Sequence, residues 1–294
     1  MTAQHDHPVF HNDADKTAYF SKQYNARAGI PDHPQIFERW QRDSALVRRT
    51  HAGVLDIPVG DAAKERLDFY PAHRAGAPLL VFIHGGWWRS LDKSDFTFLV
   101  PAYRRAGFNI ALTNYTLAPE APLEEIVRQQ LRALAWLYKN AERLEFDRER
   151  IVVAGHSAGG HLTAMMMAAL WPAWDASLPT NLVRGGVLMS GLFDLDPVIH
   201  TDFVNGDLKL DLDRSLKLSP ARMPQSHPAP FLTAVGALES EEFKRQTALI
   251  ASHWKDAHRG DVPLEGYNHL TICDALGDPS HALFQSTCEL LESV

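Results

Sequence analysis

Gly155-His156-Ser157-Ala158-Gly159 is the stretch that decides how this sequence is read. It follows the apolar run Ile151-Val152-Val153 and precedes a helix-prone segment through Leu170. A strand turning sharply into a helix puts Ser157 at the bend, in strained backbone, with its hydroxyl lifted above the sheet edge. Side chains two positions before and after such a serine would collide, so small residues are needed there. The following helix aims its positive N-terminus at the reacting oxygen and stabilises negative charge. The competing reading is a glycine-rich turn without chemistry, and the strand and helix that flank the motif weigh against it.

Outward from this turn, strands and helices alternate. Leu79-Leu80-Val81-Phe82-Ile83 is apolar throughout, as a strand covered on both faces should be. Further strands are expected at Arg66–Tyr70, Asn109–Leu112, Gly186–Met189, Phe231–Val235 and Val262–Glu265. Helices are expected over Phe96–Arg105, Leu123–Arg143, Glu242–Trp254 and Ala282–Leu291. This alternation implies a mostly parallel central sheet with helices on both faces. Residues 1–60 read as a helical N-terminal extension with a Pro-bounded break at Pro31–Pro34, and residues 61–294 as the catalytic core of a single domain. Ligands of such sheets sit at the carboxyl ends of the strands. The Ser157 turn falls at such an end, as do the loops that follow Ile83, Val235 and Glu265.

His84-Gly85-Gly86-Trp87-Trp88 follows the Leu79–Ile83 strand. Glycines let backbone N–H groups turn into a site, and acyl transfer needs fixed donors where the carbonyl oxygen gains charge. Ala158, after the nucleophile, supplies one candidate donor; Gly85 and Gly86 supply the others, with Trp87 N–H as a further candidate. His84 is expected to tie the loop down. At least one of Trp87 and Trp88 should line the substrate pocket, and His161, on the helix after Ser157, could do the same.

Chain order in this architecture is serine, acid, histidine. Among 15 histidines, His269 stands just after the last strand, where the base belongs. His281 opens the final helix and reads as surface; His253 and His258 come too early. The acid should follow Phe231–Val235, and Glu239 is the choice in that loop. Glu241 and Glu242 suit the acidic first turn of the next helix. Asp194 and Asp196, one strand earlier, are held in reserve.

The 294 residues are 45% hydrophobic and 22% charged, ordinary for a globular protein. A net charge of −7 argues against a nucleic-acid partner. Two cysteines cannot build a disulfide framework, no signal-peptide pattern opens the chain, and no apolar run reaches the length of a membrane span. A cytoplasmic enzyme without a membrane partner is expected. His5, His7 and His11 form a loose cluster that reads as solvated tail, so no metal and no cofactor are expected.

Taken together, the motifs resemble the kynurenine formamidase (arylformamidase) branch of the α/β-hydrolases and its esterase-like relatives. The resemblance rests on His84-Gly85-Gly86-Trp87, Gly155 through His161, Ser190-Gly191-Leu192-Phe193-Asp194-Leu195, Gly236 through Phe243, and Asn268-His269-Leu270. It covers Glu65 to the C-terminus. Two departures stand out: Glu239 where Asp is commoner, and Trp87 where Tyr is frequent. The resemblance implies an α/β-hydrolase fold and an acyl-enzyme mechanism, with N-formylkynurenine as the named substrate. A short-acyl carboxylesterase shares every catalytic residue, and a non-catalytic binding member of the fold is the distant alternative. The N-terminal extension and the segment His200–Arg222 are both candidates to shape the pocket, and the extension could also support a homodimer.

Overall fold

A computed structural model describes residues 7–294. His5 lies outside them. Among the described residues, eight strands form one sheet: β1 Val54–Pro58, β2 Arg66–Tyr70, β3 Ala77–Ile83, β4 Asn109–Thr113, β5 Phe146–His156, β6 Gly185–Met189, β7 Phe231–Gly236 and β8 His258–Leu264. Their order is β1-β2-β4-β3-β5-β6-β7-β8. The β1–β2 and β2–β4 pairs are antiparallel and all others parallel. The first half of the chain carries helices α1 Asp13–Tyr24, α2 His33–Thr50, α3 Val100–Arg105 and α4 Leu123–Lys139. After the Ser157 turn come α5 Ala158–Ala168, α6 Trp171–Trp174, α7 Asp202–Leu208 and α8 Leu212–Lys217. The last three are α9 Glu241–His253, α10 Ile272–Gly277 and α11 Ala282–Ser293.

Strand β3 shows why its sequence is apolar at every position. Leu79, Val81 and Ile83 enter the core on one face of the sheet, and Leu80 and Phe82 enter the core on the other. Alternating residues of a pleated strand point to opposite faces, so a sheet covered by helices on both sides needs both sets apolar. The α/β-hydrolase architecture expected from the sequence is the one observed. One element differs. The helix expected over Phe96–Arg105 is a 3₁₀ stretch, Lys93–Leu99, followed by α3. Pro101 lacks the N–H that a continuous helix needs there, and sits instead in the first turn of α3.

The extension is bound to the core by buried polar contacts. Asp68, fully buried on β2, accepts from Lys93 Nζ at 2.7 Å, from Asp56 N at 2.8 Å and from Arg48 of α2. Arg39 and Trp40 of α2 both donate to Asp274 of α10, Trp40 Nε1 at 2.7 Å. The extension also supplies β1 to the sheet edge. His7 is not the solvated residue expected. Its ring packs edge-on against Phe20 at 5.0 Å, and its Nε2 lies 3.6 Å from the buried Glu242 carboxylate. A buried carboxylate draws polar neighbours, and the apolar Phe20 ring gives the imidazole a surface to cover.

Candidate active site

Ser157 sits between β5 and α5 with φ 56° and ψ −119°. This left-handed, strained backbone is held by Ser157 N donating to Met189 O at 2.9 Å. The two glycines of the motif are there for space. A Cβ at Gly155 would stand 2.1 Å from Gly159 O, and one at Gly159 would stand 2.0 Å from Ile83 O.

Two loops bring partners to the serine. Beyond β8, Asn268 Oδ1 accepts from the amides of Leu270 and Thr271 at 2.9 and 3.0 Å, fixing the turn that carries His269. His269 Nε2 lies 3.0 Å from Ser157 Oγ. Its Nδ1 lies 2.6 Å from Oε2 of Glu239, which follows β7. Glu239 Oε1 accepts from Ser190 Oγ at 2.5 Å and from Gly236 N at 2.7 Å. Ser157, Glu239 and His269 are all buried, and the Phe243 ring lies 4.2 Å from the His269 ring. His156 also packs on His269, at 4.7 Å; burial, and then the neighbouring His269, push its pKa well below the usual histidine range, so it stays neutral.

The loop after β3 lies directly against the serine: a Cβ at Gly85 would stand 3.1 Å from Ser157 Cβ. Among the described residues, the amides of Gly85, Gly86 and Trp87 have no hydrogen-bond partner, and Ala158 opens α5, whose first-turn amides have no intrahelical acceptor. His84 ties the loop down as expected, with Nδ1 2.8 Å from Gly85 O and Nε2 2.9 Å from Asn114 Oδ1. Burial lowers its pKa, which keeps it neutral.

A cavity of about 520 Å³ opens on Ser157 and His269. Trp87 forms one wall. The extension contributes Arg27, Phe37 and Trp40, and α7 contributes Phe203 and Asp207. Both segments expected to shape the pocket therefore do so. No group of three or more His, Cys, Asp or Glu is placed to hold a metal among the described residues, and no helix there is long and apolar enough to cross a membrane.

The BD-FAE family model matches residues 67–173. Kynurenine formamidase of Danio rerio is 30% identical over 201 residues, 66% of this chain and 66% of that enzyme. Kynurenine formamidase of Salmo salar is 28% identical over 250 residues, 81% and 82% of the two chains. A solved Silicibacter sp. TM1040 structure described as a thioesterase superposes with a TM-score of 0.82 at 28% identity, covering 93% of this chain and 99% of that one. The chain belongs to the kynurenine-formamidase-like branch of the α/β-hydrolase superfamily. It is a hydrolase.

Two pocket assignments made for this hydrolase from sequence need correction. Trp88 and His161 are fully buried and do not line the cavity; they pack edge to face at 5.0 Å. His161 Nε2 lies 2.8 Å from Leu218 O, and burial lowers its pKa to about 4. The tight turn at 87–88, with φ 55° at both residues, sends one indole into the cavity and the other into the core. The reserve acids are also elsewhere. Asp194 pairs with Arg222 at 3.3 Å, and neither Asp194 nor Asp196 contacts His269.

Residue-by-residue reading missed three groups. Ser190 was read only as part of a motif, yet it donates to Glu239. Gln246 accepts from the Phe193 and Asp194 amides at 2.8 Å each and donates to Tyr24 Oη at 2.8 Å. Tyr24 in turn donates to Glu242 at 3.0 Å. This buried chain fixes the end of α1 beside the site. An available signal was the amphipathic face of α9, whose inward polar residues 242 and 246 lie one helical turn apart.

Proposed function

We propose that this hydrolase cleaves an amide or ester of a small aromatic substrate through an acyl-enzyme on Ser157, with arylformamidase, the hydrolysis of N-formylkynurenine, as the specific reading. The observation that carries it is the continuous relay from Ser157 Oγ through His269 to Glu239, facing unpartnered amides and an aromatic-walled cavity. His269 Nε2 takes the Ser157 proton as the oxygen attacks the substrate carbonyl carbon. The charge that forms on the carbonyl oxygen meets the amides of Gly85, Gly86 and Ala158. His269 returns the proton to the departing nitrogen or oxygen, leaving acyl-Ser157. Water then attacks the acyl group by the same route and frees the serine. Glu239, anchored by two donors, holds the imidazole with its proton on Nδ1 and stabilises the imidazolium.

Trp87 and Phe37 suit an aromatic group by stacking and apolar burial. Relatives carrying the formamidase name support the formyl reading. The test compares N-formylkynurenine with p-nitrophenyl formate, acetate and butyrate, each also with Ser157→Ala. A kcat/KM on the order of 10⁴ M⁻¹s⁻¹ or more for N-formylkynurenine, lost in the variant, supports the formamidase. Turnover of the activated esters alone moves the assignment to a short-acyl carboxylesterase. Failure of a fluorophosphonate probe to label Ser157 would sink the serine mechanism.

A further inference from the structure

The cavity wall facing Ser157 carries a cation for which the described residues provide no anion. Arg27 stands in the turn after α1, and its Nη2 donates to Ser90 Oγ at 3.2 Å. The Phe37 ring supports the guanidinium at 5.0 Å. Among the described residues, no carboxylate lies within ion-pairing distance of Arg27, in contrast to Arg39, Arg48, Arg89, Arg132, Arg214 and Arg245. The other cation of the cavity, Arg89, is already neutralised by Asp207 at 2.7 Å. The wall thus holds two guanidinium groups and one carboxylate. The guanidinium is partly open to solvent, so an incoming anion can reach it, and burial of the rest, and then the Arg89 charge, lower its pKa.

A guanidinium presents five N–H donors in a planar fork that matches a carboxylate. Among the described residues, one bond of that fork is made, to Ser90. Ser90 Oγ in turn donates to Gly86 O at 2.9 Å, so the guanidinium stands two hydrogen bonds from the loop that faces Ser157. We propose that Arg27 is a specificity-determining residue that selects aromatic esters or amides carrying a carboxylate on the leaving arm. With a short acyl group seated at Ser157, the leaving arm is the part of the substrate long enough to cross the cavity. The aromatic body then lies along Trp87 and Phe37, and the carboxylate closes on the Arg27 fork. This rests on Ser157 as the nucleophile of a short-acyl hydrolase, and it holds for formamide and ester alike.

The test uses 3-acetoxybenzoate and its neutral counterpart 3-acetoxybenzamide. The ratio of their kcat/KM values is expected to favour the acid at least 10-fold, mainly through KM. Arg27→Gln should bring the ratio to near one, Arg27→Lys should keep part of it, and added salt should lower it in the wild type. A ratio unchanged by Arg27→Gln, with both rates falling together, would make Arg27 a brace for Ser90 and overturn the proposal. A second measurement needs no turnover: tryptophan quenching by 3-hydroxybenzoate and 3-hydroxybenzamide. Tighter binding of the acid, lost in Arg27→Gln, supports the proposal even if neither ester is cleaved, in which case the hydrolytic reading fails separately. Equal binding of the two overturns it.

Discussion

Glu239→Gln is a near-isosteric change that should disable the site by reversing one imidazole. Oε1 of Glu239 sits between two donors, Ser190 Oγ at 2.5 Å and Gly236 N at 2.7 Å. The amide of a glutamine placed there has one acceptor and one donor end. Its NH₂ cannot face two donors, so its oxygen takes the Oε1 position and its NH₂ takes the Oε2 position, 2.6 Å from His269 Nδ1. His269 must then accept at Nδ1 and carry its proton on Nε2. That nitrogen lies 3.0 Å from Ser157 Oγ and can no longer take the serine proton. Acid-to-amide changes that trap the wrong tautomer in such triads cost about 10⁴-fold in kcat. At about 1.4 kcal/mol per tenfold, this is about 5 to 6 kcal/mol of lost transition-state stabilisation. The side-chain volume is retained, so the Tm should move little. Stopped-flow hydrolysis of p-nitrophenyl acetate measures acylation directly, and a thermal scan checks the fold. A Glu239→Gln enzyme acylating within about tenfold of wild type would refute the argument.

Two further perturbations test the elbow and the buried imidazoles. Gly159→Ala drives a methyl to 2.0 Å from Ile83 O and 2.7 Å from His84 O, both backbone atoms that cannot swing away; a loss of about 3 kcal/mol or more is expected in urea unfolding, and a midpoint equal to wild type would contradict it. His161 has a folded pKa of about 4, below the usual histidine value of about 6.5, so the unfolded chain binds more protons between those limits. Stability contributed by neutral His161 is therefore fully present above about pH 6.5 and lost as pH falls toward 4, on the order of 3 kcal/mol in all. His84 and His156 are shifted in the same direction and add to the slope. Urea midpoints from pH 7 to pH 4.5 should fall more steeply for wild type than for His161→Gln; parallel curves would remove His161 from the account.

The features legible in the chain itself were those whose cause is local. Gly155 and Gly159 are demanded by backbone sterics within five residues, and the unbroken apolar run of β3 by burial on both faces of one strand. Chain order and position after β7 and β8 were enough to point to Glu239 and His269, which the fold brings into hydrogen-bond contact, because strand ends set where loops emerge. Side-chain direction was not legible. Trp87 and Trp88 are chemically identical neighbours, and only the turn's left-handed backbone decides that one lines the cavity while the other, with His161, fills the core. The polar chain from Glu242 and Gln246 to Tyr24 joins residues more than 200 positions apart, as does the 3.6 Å approach of His7 to Glu242. Such pairings arise when the packed extension forces buried polar groups to satisfy one another, a requirement with no sequence period. For the same reason the cavity has no contiguous motif. Its walls come from α2, the turn after α1, the loop after β3 and α7, brought together only when the extension docks against the strand ends.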